Sequence, residues 1–274
     1  MATCYRHPGR ETGVSCSNCG RPICPDCMTP TAVGMRCPEC SKQTTKVRTV
    51  RTMSGDPRVT YALIAINVIA FLASGQFGVQ QTGTGSQVYL KGVLFGPFVD
   101  QGDYWRLITS GFLHAGFIHI GFNMYLLYIL GRILEPAIGS LRFGILYFAS
   151  LLAGSAGALI VTPNTPTLGA SGAVFGLMGA TFIEMRARGM DPFGGGGILG
   201  GIGGLIVINL VLSFALSGIS IGGHIGGLIG GSLVALAYLA ADRARQPALA
   251  YVGGVAVGAA AFAIGIVAVG SIGL

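Results

Sequence analysis

The sequence predicts an all-α polytopic membrane protein with a small zinc-stabilised module at its N-terminus. Three observations carry this. Only 10% of the 274 residues are charged, against about 25% in ordinary soluble domains. Long apolar runs recur after residue 58, as bilayer spans require. All seven cysteines lie between Cys4 and Cys40, so cysteines and apolar runs do not overlap. The expected division is a zinc-binding module (1–42), a basic juxtamembrane linker (43–58), a six-span core (59–241) and one additional C-terminal transmembrane helix (242–274).

The first 42 residues carry four ligand pairs: Cys4-x2-His7, Cys16-x2-Cys19, Cys24-x2-Cys27 and Cys37-x2-Cys40. A two-residue gap lets both side chains of a pair reach one metal ion, and eight ligands fill two tetrahedral zinc sites. Some 40 residues cannot build a sufficient core alone, so two structural zinc ions would supply much of the folding energy. A disulfide framework is disfavoured by the odd number of cysteines and by His7 completing a pair. The segment resembles B-box and RING-like cross-braced fingers. That resemblance implies Cys4, His7, Cys24 and Cys27 on one ion, and Cys16, Cys19, Cys37 and Cys40 on the other. A sequential pairing also fits the spacing. Such modules imply a cytoplasmic protein partner or a structural role.

The next stretch carries Lys42, Lys46, Arg48, Arg51 and Arg58. The formal charge of +7 could suggest nucleic acid. Its position beside the first apolar run instead suggests attraction to anionic lipid headgroups, so nucleic acid is not expected as a partner. No short apolar segment precedes this region, so it does not read as a signal peptide, and the first run is expected to remain as a span.

Seven spans are expected: Val59–Ser74, Phe112–Leu134, Leu141–Val161, Ser171–Arg186, Ile198–Leu216, Ile221–Ala241 and Ala250–Val269. The first and fourth are short for about 30 Å of hydrocarbon. The 46 glycines include Gly172, Gly176 and Gly179, and Gly223, Gly227 and Gly231. Small residues at four-residue spacing let helices approach closely in lipid. Fifteen of the seventeen Lys and Arg residues fall on one side of this layout; Lys91 and Arg106 fall on the other. The positive-inside rule then puts the N-terminus in the cytoplasm and the C-terminus outside, in a plasma (inner) membrane. A reducing compartment suits thiolate ligands.

Spans two, four and six then run from outside to inside, and their polar residues lie near their starts. These are His114, His119 and Asn123 on span two, Ser171 on span four and His224 on span six. Strongly polar groups within a span are functional candidates by default. Ser171 lies in Gly169-Ala170-Ser171-Gly172, and His224 lies among Gly222, Gly223, Gly226 and Gly227. Serine is a poor nucleophile until a base takes its proton, and histidine is the usual base. The bland alternatives are a helix-capping serine and a packed histidine.

None of the ten acids starts spans two, four or six. This favours a Ser-His dyad without the carboxylate that orients histidine in a triad. His119 and Asn123 share a helix face four residues apart. With the Ser171 amide they could hold an oxyanion; as a plain interhelical clamp they would contribute about 1 kcal/mol. No His-Glu-x-x-His occurs and no aspartates pair within spans, which argues against zinc and aspartyl mechanisms. On a continuous helix His114 and His119 would diverge by about 140°, which argues against a shared metal.

Over roughly Val59 to Ala241 the chain resembles the rhomboid family of intramembrane serine proteases. The residues that carry this are Trp105-Arg106, His114-x4-His119-x3-Asn123, Gly169-Ala170-Ser171-Gly172, and His224 with Gly227 and Gly231. The resemblance implies a rhomboid-like six-helix bundle, here followed by a seventh span in a 6+1 layout. It implies Ser171 as nucleophile, His224 as general base, and His119, Asn123 and the Ser171 amide as the oxyanion hole. Trp105-Arg106 would structure a loop lying in the outer leaflet. Substrates would be single-span membrane proteins, cut in or near the outer part of their span without a catalytic cofactor. One departure is Phe175, where the family often has tyrosine packed on the histidine; ring stacking is kept and the hydroxyl lost. The zinc module lies outside the resemblance. A catalytically inactive client-binding relative is the main alternative, and Ser171 and His224 argue against it. An adaptor that uses its spans only as anchors, or a transporter, fits the polar cluster less well.

Overall fold

Extended apolar stretches must satisfy their own backbone hydrogen bonds in a bilayer, so they fold as helices. The computed structural model describes residues 2–42, 56–78, 86–194, 197–216 and 218–270. Lys46, Arg48 and Arg51 of the basic linker lie outside the described residues. The chain divides into two compact units, residues 1–53 and 54–274.

Among its described residues the first unit contains two short antiparallel pairs, a 3₁₀ turn over Pro25–Cys27 and one short α-helix. β1 (Ala2–Thr3) pairs with β2 (Glu11–Thr12), β3 (Thr29–Thr31) pairs with β4 (Gly34–Arg36), and α1 spans Pro38–Ser41. Its buried core is Cys4, Cys16, Ile23, Cys24, Cys27, Cys37 and Cys40. A single buried isoleucine is a small apolar core for 40 residues, and six of the seven buried core residues are cysteines.

The second unit is helical. It comprises α2 (Arg58–Ser74), three short helices α3 (Gln87–Gly92), α4 (Gly96–Asp100) and α5 (Arg106–Thr109), then α6 (Phe117–Ile138), α7 (Ser140–Val161), α8 (Ser171–Ala187), α9 (Gly201–Ala215), α10 (Ile221–Arg243) and α11 (Pro247–Gly270). Four of these, α6, α7, α10 and α11, are long and apolar enough to cross a membrane; α2 and α9 are shorter apolar helices. At 1.5 Å per residue, the 17 residues of α2 reach about 26 Å, just short of a typical hydrocarbon core.

Span two was expected from Phe112, but α6 starts at Phe117. Ser110–Phe112 forms a 3₁₀ turn, Leu113 is extended, and Gly116 sits at φ 94. Glycine adopts that left-handed region freely and resets the chain direction before the helix. His114 is therefore not on the helix of His119 and Asn123, and the angular argument for those two histidines fails. Their rings meet edge to face, 5.1 Å apart. Span five likewise starts at Gly201 rather than Ile198, after a 3₁₀ turn over Gly197–Leu199 and a positive φ at Gly201.

Helix α10 packs against α7, α8 and α11; α6 packs on α8, α2 on α6, and α9 lies against α8 and α10. The apolar core includes Leu127, Leu130, Phe143, Tyr147, Val174, Leu177, Val234 and Tyr238. Where α7, α8 and α10 meet, glycine replaces side chains. A methyl group at Gly227 would lie 2.0 Å from the Gly172 carbonyl oxygen, and one at Gly231 would lie 2.2 Å from that of Gly176. One at Gly157 would lie 2.2 Å from the Gly222 carbonyl oxygen. These backbones touch directly, so dispersion accumulates over their length and any added carbon must push a helix away.

A buried carboxylate fixes the opposite end of the bundle. Glu135 of α6 accepts the Val59 N–H at 2.9 Å, the Thr60 N–H at 2.8 Å, the Thr60 hydroxyl at 2.7 Å and the Ser140 hydroxyl at 2.6 Å. Helix α2 has no cap from its own Pro57, so Glu135 satisfies its free first-turn amides from another helix.

The glycine contacts generate a paired test. Gly227→Ala should destabilise the bundle by about 1–3 kcal/mol, through overpacking against backbone. Gly121, on α6 with nothing within reach of an added methyl, should tolerate alanine or gain up to about 1 kcal/mol from helix propensity. Unfolding of both variants in detergent micelles reads the difference; equal effects would contradict the packing account.

Candidate functional site

The first helical residue of α8 is Ser171, and its N–H is one of the first-turn amides without a partner inside the helix. The chain reaches it through Gly169, at φ +126. A methyl at Gly169 would lie 2.7 Å from His119 Nε2, so both conformation and space demand glycine there. The Gly169 N–H donates to the Ser110 carbonyl at 2.9 Å, and Leu94 and Thr167 exchange backbone hydrogen bonds at 2.8 and 3.0 Å. The segment entering α8 is thus tied to the loop that follows α2.

That loop is organised by Trp105 and Arg106. The buried Arg106 guanidinium donates to the carbonyls of Leu90 at 2.8 Å and Val93 at 2.9 Å, and pairs with Asp103 at 2.8 Å. The Trp105 indole N–H donates to the Lys91 carbonyl at 3.1 Å, while its ring stays exposed. A fixed, planar array of donors suits this task of satisfying several turn carbonyls at once.

Ser171 Oγ and His224 Nε2 are 2.8 Å apart, within hydrogen-bond reach. They come from α8 and α10, the pair of helices joined through Gly172 and Gly227. His224 is buried, and its ring stacks on Phe175 with centroids 4.2 Å apart and planes 21° from parallel. The expected ring stacking is therefore present with phenylalanine. On its other side, Nδ1 lies 2.6 Å from Ser213 Oγ of α9.

His119 Nδ1 accepts the Ala115 N–H at 3.2 Å. Its proton therefore sits on Nε2, the nitrogen that faces Gly169. Asn123, one turn on, donates from Nδ2 to the His119 carbonyl at 3.0 Å and keeps a second N–H. His119 thus presents a donor toward Gly169, with Asn123 one turn behind. Ser213 was not singled out from the sequence. The only available signal was a lone serine in the apolar run of α9.

In the N-terminal unit the ligand atoms of Cys4, His7, Cys24 and Cys27 lie within 4.8 Å of one another, and so do those of Cys16, Cys19, Cys37 and Cys40. His7 Nδ1 is 3.8, 3.3 and 3.4 Å from the sulfurs of Cys4, Cys24 and Cys27, and the Cys19 and Cys37 sulfurs are 3.9 Å apart. A tetrahedron with Zn–S near 2.3 Å has edges of about 3.8 Å, so these residues fit such an ion. The Cys37 N–H hydrogen bond pulls the Cys16 thiol down to about 6, while burial pushes the Cys37 thiol up to about 11. Glu39, held by the Tyr5 hydroxyl and Arg6, is brought down to about 2 and ties α1 to the segment between β1 and β2.

Residues 101–241 match the Rhomboid domain. The Bacillus subtilis "Rhomboid protease GluP" is 35% identical over 138 residues, covering 50% of this chain and 27% of that protein. The Arabidopsis thaliana "RHOMBOID-like protein 6, mitochondrial" is 41% identical over 87 residues, 32% of this chain and 28% of that protein. The Arabidopsis "Inactive RHOMBOID-like protein 8" is 33% identical over 92 residues, 34% of this chain and 26% of that protein. The matched region thus spans little more than a quarter of each of these relatives. The domain match runs through α6, α7, α8, α9 and α10, the helices that build the site around Ser171 and His224, and with half its length so matched the chain belongs to the rhomboid family.

Proposed function

We propose that this chain is an active intramembrane serine endopeptidase that cuts single-span membrane proteins in or near the outer part of their transmembrane segment. The observation that carries the reading is the 2.8 Å contact between Ser171 Oγ and His224 Nε2. In this reading His224 takes the Ser171 proton as Oγ attacks the scissile carbonyl, then returns it to the leaving amine as the acyl-enzyme forms. Water repeats the sequence to release the acyl group. The oxyanion is held by the Ser171 N–H, the His119 Nε2–H and Asn123, at the positive end of α8. Catalysis uses no cofactor. Seven spans in a 6+1 layout, with the N-terminus in the cytoplasm, would turn the site toward the outer leaflet. In the N-terminal unit the two clusters would hold two structural zinc ions, cross-braced in sequence.

The second reading is a client-binding protein without activity, since a relative described as inactive is 33% identical over 92 residues. Retention of both Ser171 and His224 in hydrogen-bonded geometry favours the enzyme.

Reconstituting the full chain in liposomes with a single-span test substrate decides between them. Wild type should cleave, Ser171→Ala and His224→Ala should not, and His119→Ala should lose roughly 10²- to 10³-fold in kcat. Cleavage that persists in Ser171→Ala would remove the nucleophile assignment. For the N-terminal unit, elemental analysis should find two zinc ions per chain, falling to one in Cys24→Ser and in Cys37→Ser. A chelator should unfold this unit. Zinc-free protein with an intact N-terminal unit would contradict the assignment.

A further inference from the structure

The imidazole of His224 has two nitrogens, and which one carries the proton decides whether it can act as a base toward Ser171. The general-base tautomer needs a proton on Nδ1 and a lone pair on Nε2. The acids of the chain offer no orienting carboxylate: among the described residues, the side-chain hydrogen-bond partners of His224 are Ser171 and Ser213.

Ser213 is buried on α9, with 5% of its surface exposed. Its Oγ lies 2.6 Å from His224 Nδ1 and 2.6 Å from the carbonyl oxygen of Asn209, one turn earlier. A hydroxyl has one proton, and a carbonyl oxygen can only accept. If the Ser213 proton goes to the Asn209 carbonyl, the lone pairs of Oγ face Nδ1, and Nδ1 must donate. In the opposite tautomer Ser213 would spend its proton on Nδ1. Two oxygens would then stand 2.6 Å apart with no hydrogen between them. The Asn209 side-chain amide is turned toward the Leu205 carbonyl, to which it donates at 2.8 Å.

We propose that Ser213 is a positioning residue that holds His224 in the Nδ1–H tautomer, and that the Asn209 carbonyl sets the direction of its hydroxyl. This rests on the protease reading for its consequence in catalysis, but the tautomer itself does not. Ser213 accepts from Nδ1–H before reaction and from the same N–H when His224 becomes an imidazolium. It thereby takes the place on α9 that an orienting carboxylate fills in a triad. Being neutral, it stabilises the imidazolium less than a carboxylate would, so its removal should cost less than the roughly 10⁴-fold measured for a triad aspartate.

The test uses the full chain in liposomes and two readouts. Histidine ¹⁵N spectra report the tautomer. There are four histidines, and the His224 signals are those lost in His224→Gln. Wild type should show a protonated Nδ1 and an unprotonated Nε2; Ser213→Ala should show the Nε2–H form. In cleavage, Ser213→Ala should lower kcat about 10- to 100-fold with KM unchanged, while Ser213→Thr, which keeps the hydroxyl, should stay within a few-fold of wild type. Ser213→Cys keeps the volume with a weaker acceptor and replaces the alanine variant if that one does not fold. An unchanged tautomer in the variant lacking the hydroxyl, or wild-type kcat there, overturns the proposal. If wild type cleaves nothing, the protease reading fails, and the ¹⁵N spectra still decide the role of Ser213.

Discussion

The geometry around Ser171 depends on direct backbone contact among α7, α8 and α10. In lipid no hydrophobic effect drives helices together, because the surrounding tails are as apolar as the side chains. Close approach must come from dispersion and from the absence of anything in the way. Gly154, Gly172, Gly176, Gly227 and Gly231 provide that absence. At Gly172 an added carbon would lie 3.2 Å from the Gly154 Cα, and at Gly227 it would meet a carbonyl at 2.0 Å. The same contacts set how far apart Ser171 and His224 stand, since each lies one to three residues from a contact glycine. Stability of the bundle and reach of the hydrogen bond are therefore one property of the packing.

Around that rigid centre, the remaining elements orient donors and acceptors. Phe175 stacks on the His224 ring, Gly169 clears space for His119 Nε2, and the Ala115 N–H directs the His119 proton. Arg106 gathers the carbonyls of the 90–93 turn and so fixes the loop bonded to the segment before α8. Glu135 does the equivalent at the other end for the amides of α2. Arg106 and Glu135 are buried charged groups with their partners satisfied, which is the condition for such groups to rigidify rather than destabilise a core.

Much of this was legible in the sequence. Apolar runs placed the long helices to within a few residues, glycine spacing marked the contact faces, and Cys-x2-Cys pairs marked two ligand clusters. What escaped was set by partners distant in sequence or by local backbone reversal. His114 reads as helical by spacing, but Gly116 at φ 94 takes it off the helix. Glu135 is recognisable as an acid at a helix end, yet its capping partners Val59 and Thr60 lie about 75 residues away. Ser213 looks like any small polar residue in an apolar helix until α9 is packed beside α10. Its meaning comes from two distances of 2.6 Å that no one-dimensional pattern contains.

The central claim is that His224 activates Ser171 for attack on a carbonyl. Covalent capture tests it without the need for a substrate. The full chain in liposomes would be treated with a fluorophosphonate, which reacts with activated serines, and the adduct located by mass spectrometry. The account predicts one adduct, on Ser171, absent in His224→Ala. An unmodified wild type, an adduct on another serine, or equal labelling of Ser171 without His224 would contradict it.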